Sequence, residues 1–230
     1  MRLHRFFVSK SLEDKEELTI HDSELWNQLK NVLRFTIGGQ VILFDGSGQE
    51  CLALISSFAR GDVSFEIASR RMSRTIPSRE LHLAVALLKK DKLEWVFEKG
   101  TELGVARFLP ILASRSEKKD LNRERLDKIV KEAVEQSGRA LIPTVENTSS
   151  LEEALLRELP ALAFDAKGER FVVERARAAS LIVVFIGPEG GWTERELFLF
   201  KKHKVPVHSL GAATLRSETA ALAAASLLLL

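Results

Sequence analysis

Three charged side chains, Glu189, Arg216 and Glu218, stand within a few residues of glycines that follow apolar runs. That setting suits acid–base and electrostatic chemistry: a carboxylate can take a proton while a guanidinium steadies charge developing on a substrate oxygen. Glycines at the carboxyl end of a buried strand let the backbone approach a ligand where a β-carbon would clash, and in α/β sheets that edge binds small molecules. The first such stretch is Phe185-Ile186-Gly187-Pro188-Glu189-Gly190-Gly191. The second is Leu210-Gly211-Ala212-Ala213-Thr214-Leu215-Arg216-Ser217-Glu218. Neither is a phosphate cradle, because G-x-G-x-x-G and G-K-[ST] are absent and Pro188 removes an amide. A neutral or cationic ligand fits better, with Glu189 supplying the charge. His4, His21, His82, His203 and His208 show no metal-ligand spacing, so no metal is expected.

Elements must hold these loops in place. Leu181 to Ile186 reads as a buried parallel strand. Thr193 with Glu196 is a capping box opening the next helix, and Ser217 is the expected N-cap of the terminal helix. Upstream, Leu81–Leu88, Phe108–Ala113, Ala161–Phe164 and Val205–Leu210 read as strands. Leu93–Leu103, entered by an Asp91-x-x-Glu94 capping box, and Asn122–Ser137 read as helices, and a further helix starts near Ser149-Ser150. In Asn122–Ser137 the residues Leu126, Ile129, Val130, Ala133 and Val134 form one apolar stripe. Alternating strands and helices predict an α/β domain with a parallel sheet flanked by helices.

Residues 1–72 differ in texture. Leu3–Val8, Gln40–Phe44, Cys51–Phe58 and Val63–Ala68 read as strands, with Asp45-Gly46-Ser47-Gly48 as a hairpin turn. One helix near Ser23–Leu33 interrupts them, and a small β-barrel is the expected packing. The join falls at Ser73–Ser78, with Arg74 and Pro77, giving domains 1–72 and 73–230.

Basic residues exceed acidic ones by only 34 to 32, so net charge does not argue for nucleic acid. The excess is local, in Arg60–Arg79 and in the run from Arg115 through Lys118, Lys119 and Arg123 to Arg139. A single cysteine, Cys51, excludes an intramolecular disulfide and fits a reducing cytoplasm. The apolar segment Ala220–Leu230 is shorter than the ~20 residues needed to cross a bilayer. No signal-type apolar core is seen at the N-terminus, so a non-membrane protein is expected.

The order and spacing of several segments resemble the ribosomal RNA small subunit methyltransferase E family, within the SPOUT (trefoil-knotted) methyltransferases. They are His4-Arg5-Phe6-Phe7, Val32-Leu33-Arg34, Phe44-Asp45-Gly46-Ser47-Gly48, Lys99-Gly100-Thr101-Glu102-Leu103-Gly104-Val105 and Ser114-Arg115-Ser116. Further along come Glu132 to Arg139 with Pro143, Ile186 to Gly191, and Leu215-Arg216-Ser217-Glu218-Thr219-Ala220.

The resemblance implies a PUA-like N-terminal barrel that holds RNA and a C-terminal sheet whose last segments are knotted. It implies a cytoplasmic homodimer, with the terminal helix in the interface, that methylates N3 of a uridine in 16S rRNA of the small ribosomal subunit. S-adenosylmethionine would be held by Phe185, Ile186, Gly187, Gly190, Gly191, Leu210, Gly211, Leu215 and Arg216, without a metal. Arg5, Arg34, Arg115 and Arg139 would meet RNA phosphates. Arg216 would stabilise charge on the uracil oxygens, and Glu189 or Glu218 would take the proton or orient Arg216. N3 lies on the Watson–Crick edge, so the target must be unpaired or flipped out. The chain departs from the family pattern at Ala213 and Thr214, where an arginine and an isoleucine are usual. A SPOUT enzyme acting on transfer RNA and a non-catalytic RNA-binding homologue are the alternatives.

Overall fold

The computed structural model describes residues 3–73, 77, 79–117, 120–173 and 179–230. Arg74 and Ser78 of the expected join, and Lys118 and Lys119 of the basic run, lie outside them. The chain forms two compact units, residues 1–76 with 134–142, and residues 77–133 with 143–230.

The first unit is a five-stranded sheet of β1 (Arg5–Phe7), β2 (Glu17–His21), β3 (Gln40–Phe44), β4 (Gln49–Ala59) and β5 (Asp62–Met72), in the order β1-β3-β4-β5-β2. β1 runs parallel to β3, and the other pairs are antiparallel. The expected turn between β3 and β4 forms because the Asp45 carboxylate accepts from the Ser47 amide (3.0 Å) and hydroxyl (2.6 Å), while Gly46 and Gly48 take positive φ. Leu25 and Leu29, four apart, both reach the core. The expected helix over 23–33 is α-helical only as α1 (Ser23–Asn27), capped by Asp22, and then widens into a π-type turn, Gln28–Val32. Arg34 follows with a left-handed φ of 55°, a conformation that ends helices and usually falls to glycine.

Glu50 is 3% exposed and accepts from Arg5 (3.1 and 3.2 Å) and Arg71 (3.1 Å). Burial alone would raise its pKa, but hydrogen bonds from Arg5, Ser73 and Arg71 outweigh it and bring the carboxyl from 4.5 down to about 2. A depressed folded-state pKa contributes stability above the unfolded value, and this is lost as pH falls through the folded one. The expected result is that about 3 kcal/mol of the first unit's stability disappears between pH ~4.5 and ~2. Urea midpoints measured across that range should show this loss, and Glu50→Gln should remove most of that pH dependence. An unchanged slope in the variant would show that Glu50 is not its source.

The second unit carries β6 (Glu80–Ala86), α2 (Lys90–Leu103), β7 (Arg107–Leu112), most of α3 (Arg123–Ser137), β8 (Thr144–Val145), β9 (Ser149–Ser150) and α4 (Leu151–Leu155). It continues with β10 (Ala161–Arg170), β11 (Leu181–Ile186), α5 (Glu194–Lys202), β12 (Val207–Ser209) and α6 (Ser217–Leu229). The strands pair in parallel in the order β12-β10-β11-β6-β7-β8, with β9 also on β7. This is an α/β fold with a parallel sheet flanked by helices. Ile182 to Ile186 are all buried, as a central parallel strand requires. Phe185 packs edge-on to Phe200 of α5, and Trp192 does the same from the loop between them. Gly100 of α2 lets Phe97 stack on Phe108 of β7 at 4.2 Å, since a β-carbon there would sit 3.0 Å from the Phe108 ring.

Three local expectations are corrected. The Asp91–Glu94 capping box does not form, because α2 already begins at Lys90 and places Asp91 within its first turn; Glu94 instead pairs with Arg125 at 3.3 Å. Ser217 is the first helical residue of α6, and Arg216 is the half-in residue before it. β10 runs on to Arg170, with a register shift between Phe164 and Glu169 on its β12 side. Among the described residues, no helix is long and apolar enough to cross a membrane.

Candidate active site

The carboxyl ends of β11 and β12 and the middle of β10 between them, Phe164–Lys167, meet at one cleft of about 450 Å³ in the second unit. The loop after β11 is built locally. The Gly191 amide donates to the Pro188 carbonyl at 2.8 Å, and Gly191 takes φ 68°. The Trp192 indole N–H donates to the Phe164 carbonyl at 3.1 Å, and Gly187 is needed because a β-carbon would meet that indole at 3.1 Å. The capping box forms as expected: Glu196 accepts from the Thr193 amide (2.7 Å) and hydroxyl (2.8 Å). Glu196 also accepts from the Ser114 amide at 2.9 Å, tying the loop after β7 to the start of α5. Burial pushes its pKa up, but these hydrogen bonds prevail and hold it below the ordinary value.

Of the residues expected to bind a cofactor, Ile186, Gly187, Gly190, Gly191, Leu210, Gly211, Leu215 and Arg216 line the cleft. Phe185 does not; strand alternation turns it into the core against Phe200. Gly211 has φ 150°, and a β-carbon there would meet nothing within 4 Å. At Gly190 a β-carbon would meet Arg115 Cδ at 3.1 Å. Arg115 lines the same cleft and donates to the Gly190 carbonyl at 2.7 Å.

Arg216 stands exposed at the cleft, and among the described residues its side chain makes no hydrogen bond or ion pair. Glu189 lines the cleft, whereas Glu218, in the first turn of α6, does not. Sequence reasoning missed Lys92 of α2, whose ammonium lies 3.6 Å from Glu189 and 3.5 Å from Glu218. It also missed the cleft residues Asp165, Ala166 and Lys167. The available cue was Gly168, a glycine inside a strand: a β-carbon there would strike the His208 backbone at 2.5 Å.

The four expected RNA contacts separate. Arg34 is exposed on the first unit and Arg115 lies at the cleft. Arg5 is committed to Glu50 and to the Arg139 carbonyl. Arg139 is 4% exposed, and burial draws its pKa down to about 10. Its guanidinium therefore sits inside the fold and not at the surface where a phosphate would be met.

A cleft across neighbouring parallel strands, bordered by glycines, the carboxylates of Asp165 and Glu189 and the cations of Arg115, Lys167 and Arg216, can orient a small ligand of mixed charge beside a guanidinium that is unpaired among the described residues. Residues 75–229 match the RNA methyltransferase domain family, which sets the class of protein. The chain is 32% identical to Ribosomal RNA small subunit methyltransferase E of Bacillus subtilis, over 97% of this chain and 95% of that one. The Rickettsia conorii protein of the same name is 29% identical, over 97% and 94%. The crystal structure of a Ribosomal RNA small subunit methyltransferase E from Neisseria gonorrhoeae bound to S-adenosyl methionine superposes with a TM-score of 0.91 at 27% identity, covering 98% and 96% of the two chains. A Legionella pneumophila methyltransferase structure in complex with the same cofactor gives 0.88 at 28% identity, covering 98% and 96%. The chain belongs to the ribosomal RNA small subunit methyltransferase E family.

Proposed function

We propose that this chain transfers a methyl group from S-adenosylmethionine to N3 of a uridine in 16S rRNA of the small ribosomal subunit. The observation that carries this reading is the convergence of three neighbouring strands on one glycine-bordered cleft with Arg216, unpaired among the described residues, at its edge. The donor is cationic at its sulfur and amine and carries no phosphate. Asp165 and Glu189 offer carboxylates to the donor's cationic groups, Arg115, Lys167 and Arg216 line the same cleft, and Ile186, Leu210 and Leu215 give it apolar surface suited to an adenine ring. Bound there, S-adenosylmethionine would supply an electrophilic methyl group.

The chain's own residues have the remaining work. Alignment of nucleophile and methyl falls to the loops 187–191 and 210–216. Uridine N3 is a poor nucleophile until its proton leaves, and the resulting charge spreads onto the uracil oxygens. Arg216 would stabilise that charge. Glu189 borders the cleft and is the better placed of the two acids to take the proton; Glu218 would act behind it.

The wider assembly belongs to the same proposal. The first unit serves as a PUA-like RNA holder, with the exposed, left-handed Arg34 as a phosphate contact. α6 leaves β12 at the sheet edge yet packs on β6, β11 and α2, consistent with a terminal segment threaded through a knot. The enzyme acts in the cytoplasm as a homodimer through α6 and α2, where Leu227 and Trp95 are 44% and 43% exposed. Leu227→Glu with Leu229→Glu should give monomers by light scattering, since unpaired charge in an apolar contact is costly. A folded, fully active dimer would show that this helix is not the interface.

The reaction is tested with labelled S-adenosylmethionine, purified protein, and either small ribosomal subunits or transfer RNA. Label in 16S rRNA supports the proposal. Label confined to transfer RNA favours another SPOUT activity, and donor binding with no transfer to either contradicts the proposed reaction.

A further inference from the structure

Two loops line the cleft, and a single side chain outside it reaches the first of them and the helix start that ends the second. Lys92, in the first turn of α2, lies 3.6 Å from Glu189 in the loop after β11 and 3.5 Å from Glu218 in the first turn of α6. Its position is electrostatically unfavourable on its own helix, because the amino end of a helix repels cations. Glu218 is also in an expensive place. It is 9% exposed, its buried Oε2 has no hydrogen-bond partner among the described residues, and its Oε1 meets the Lys92 ammonium at 3.5 Å. An acid needed only to favour the start of α6 could sit at the surface without that cost. Two unfavourable placements set against each other, with Glu189 sharing the same ammonium, indicate a specific geometric demand.

We propose that Lys92 is a positioning residue for donor binding, a cationic bridge that fixes the spacing between the loop 187–191 and the start of α6, where the loop 210–216 ends, by holding Glu189 and Glu218 together. The inference rests on the reading of this cleft as the S-adenosylmethionine site. Without the bridge the two carboxylates repel, and the cleft walls lose their shared anchor. The residue acts through the loops and touches neither donor nor RNA.

A double-mutant cycle read by calorimetry with S-adenosylmethionine tests it. Lys92→Met keeps the length and removes the charge; Glu189→Gln cuts one arm at a surface position. Each is expected to raise the donor Kd about tenfold, and the double variant no further than either single, because one bridge is broken only once. Lys92→Arg should restore affinity to within about threefold, since the charge and reach return. If Lys92→Met does not fold, Lys92→Met with Glu218→Gln, which leaves no unpaired buried charge, takes its place. Single effects that multiply in the double variant, or a Lys92 variant that binds donor as the parent does, would overturn the bridge. A parent protein that does not bind S-adenosylmethionine would overturn the cofactor reading instead.

Discussion

Gly211→Val is expected to abolish measurable S-adenosylmethionine binding while leaving the protein folded. Gly211 opens the loop between β12 and α6 with φ 150°, a backbone region that L side chains rarely adopt and β-branched ones least of all. No heavy atom lies within 4 Å of where its β-carbon would be, so an added side chain has room beside the cleft and nothing in the core to disrupt. The strained residue must either fill ligand space or drag the loop to a new path, and both remove the binding surface. A loss of about a hundredfold or more in affinity is expected. Circular dichroism and the thermal midpoint serve as the fold control. An unchanged donor Kd in a folded variant would remove the second loop from the site. Gly190→Val is a weaker probe than its sequence position suggests, because its β-carbon meets the flexible Arg115 side chain.

Arg216→Ala should raise the barrier to single-turnover methylation by about 2–4 kcal/mol, the range for removing one preorganised electrostatic group. The side chain is exposed and, among the described residues, unpaired, and the backbone at φ −66° and ψ 152° suits any residue, so truncation should leave α6 intact. Donor affinity should fall much less than rate, because the partner of the guanidinium is charge that develops on uracil. Arg216→Lys should rescue only in part, since a point charge does not reproduce a planar fork of donors. Lost donor binding with normal turnover at saturation would make Arg216 a cofactor ligand.

What was legible in the sequence follows the range of the physics. The run Ile182–Ile186 and the Thr193–Glu196 cap are local patterns, and both stand in the structure as read. The same cap motif at Asp91 and Glu94 misled, because the helix starts one residue before Asp91, with Lys89 in the cap position, and Glu94 turns to Arg125. Local spacing cannot see that competing partner. Lys92 was invisible for the same reason: its carboxylates lie far along the chain, in the loop after β11 and in the first turn of α6, and the one local cue was a cation at the wrong end of a helix. Arg5 and Arg139 matched a family motif, yet Glu50 and burial claim them. The continuous stripe of α3 gave no sign that residues 134–142 belong to the first unit. Asp165 to Lys167 were missed because the strand was expected to stop at Phe164, whereas it continues past a register shift that Gly168 permits.

The most direct test of the central claim is mass spectrometry of nucleosides from 16S rRNA. Small ribosomal subunits from cells lacking this gene would be incubated with the purified protein and S-adenosylmethionine. The account predicts one new methyl group per rRNA, recovered as uridine methylated at N3, and its absence when Arg216→Ala replaces the parent protein at the same short reaction time. An rRNA of unchanged mass, or a methyl group found on the ribose or on another base, would contradict it.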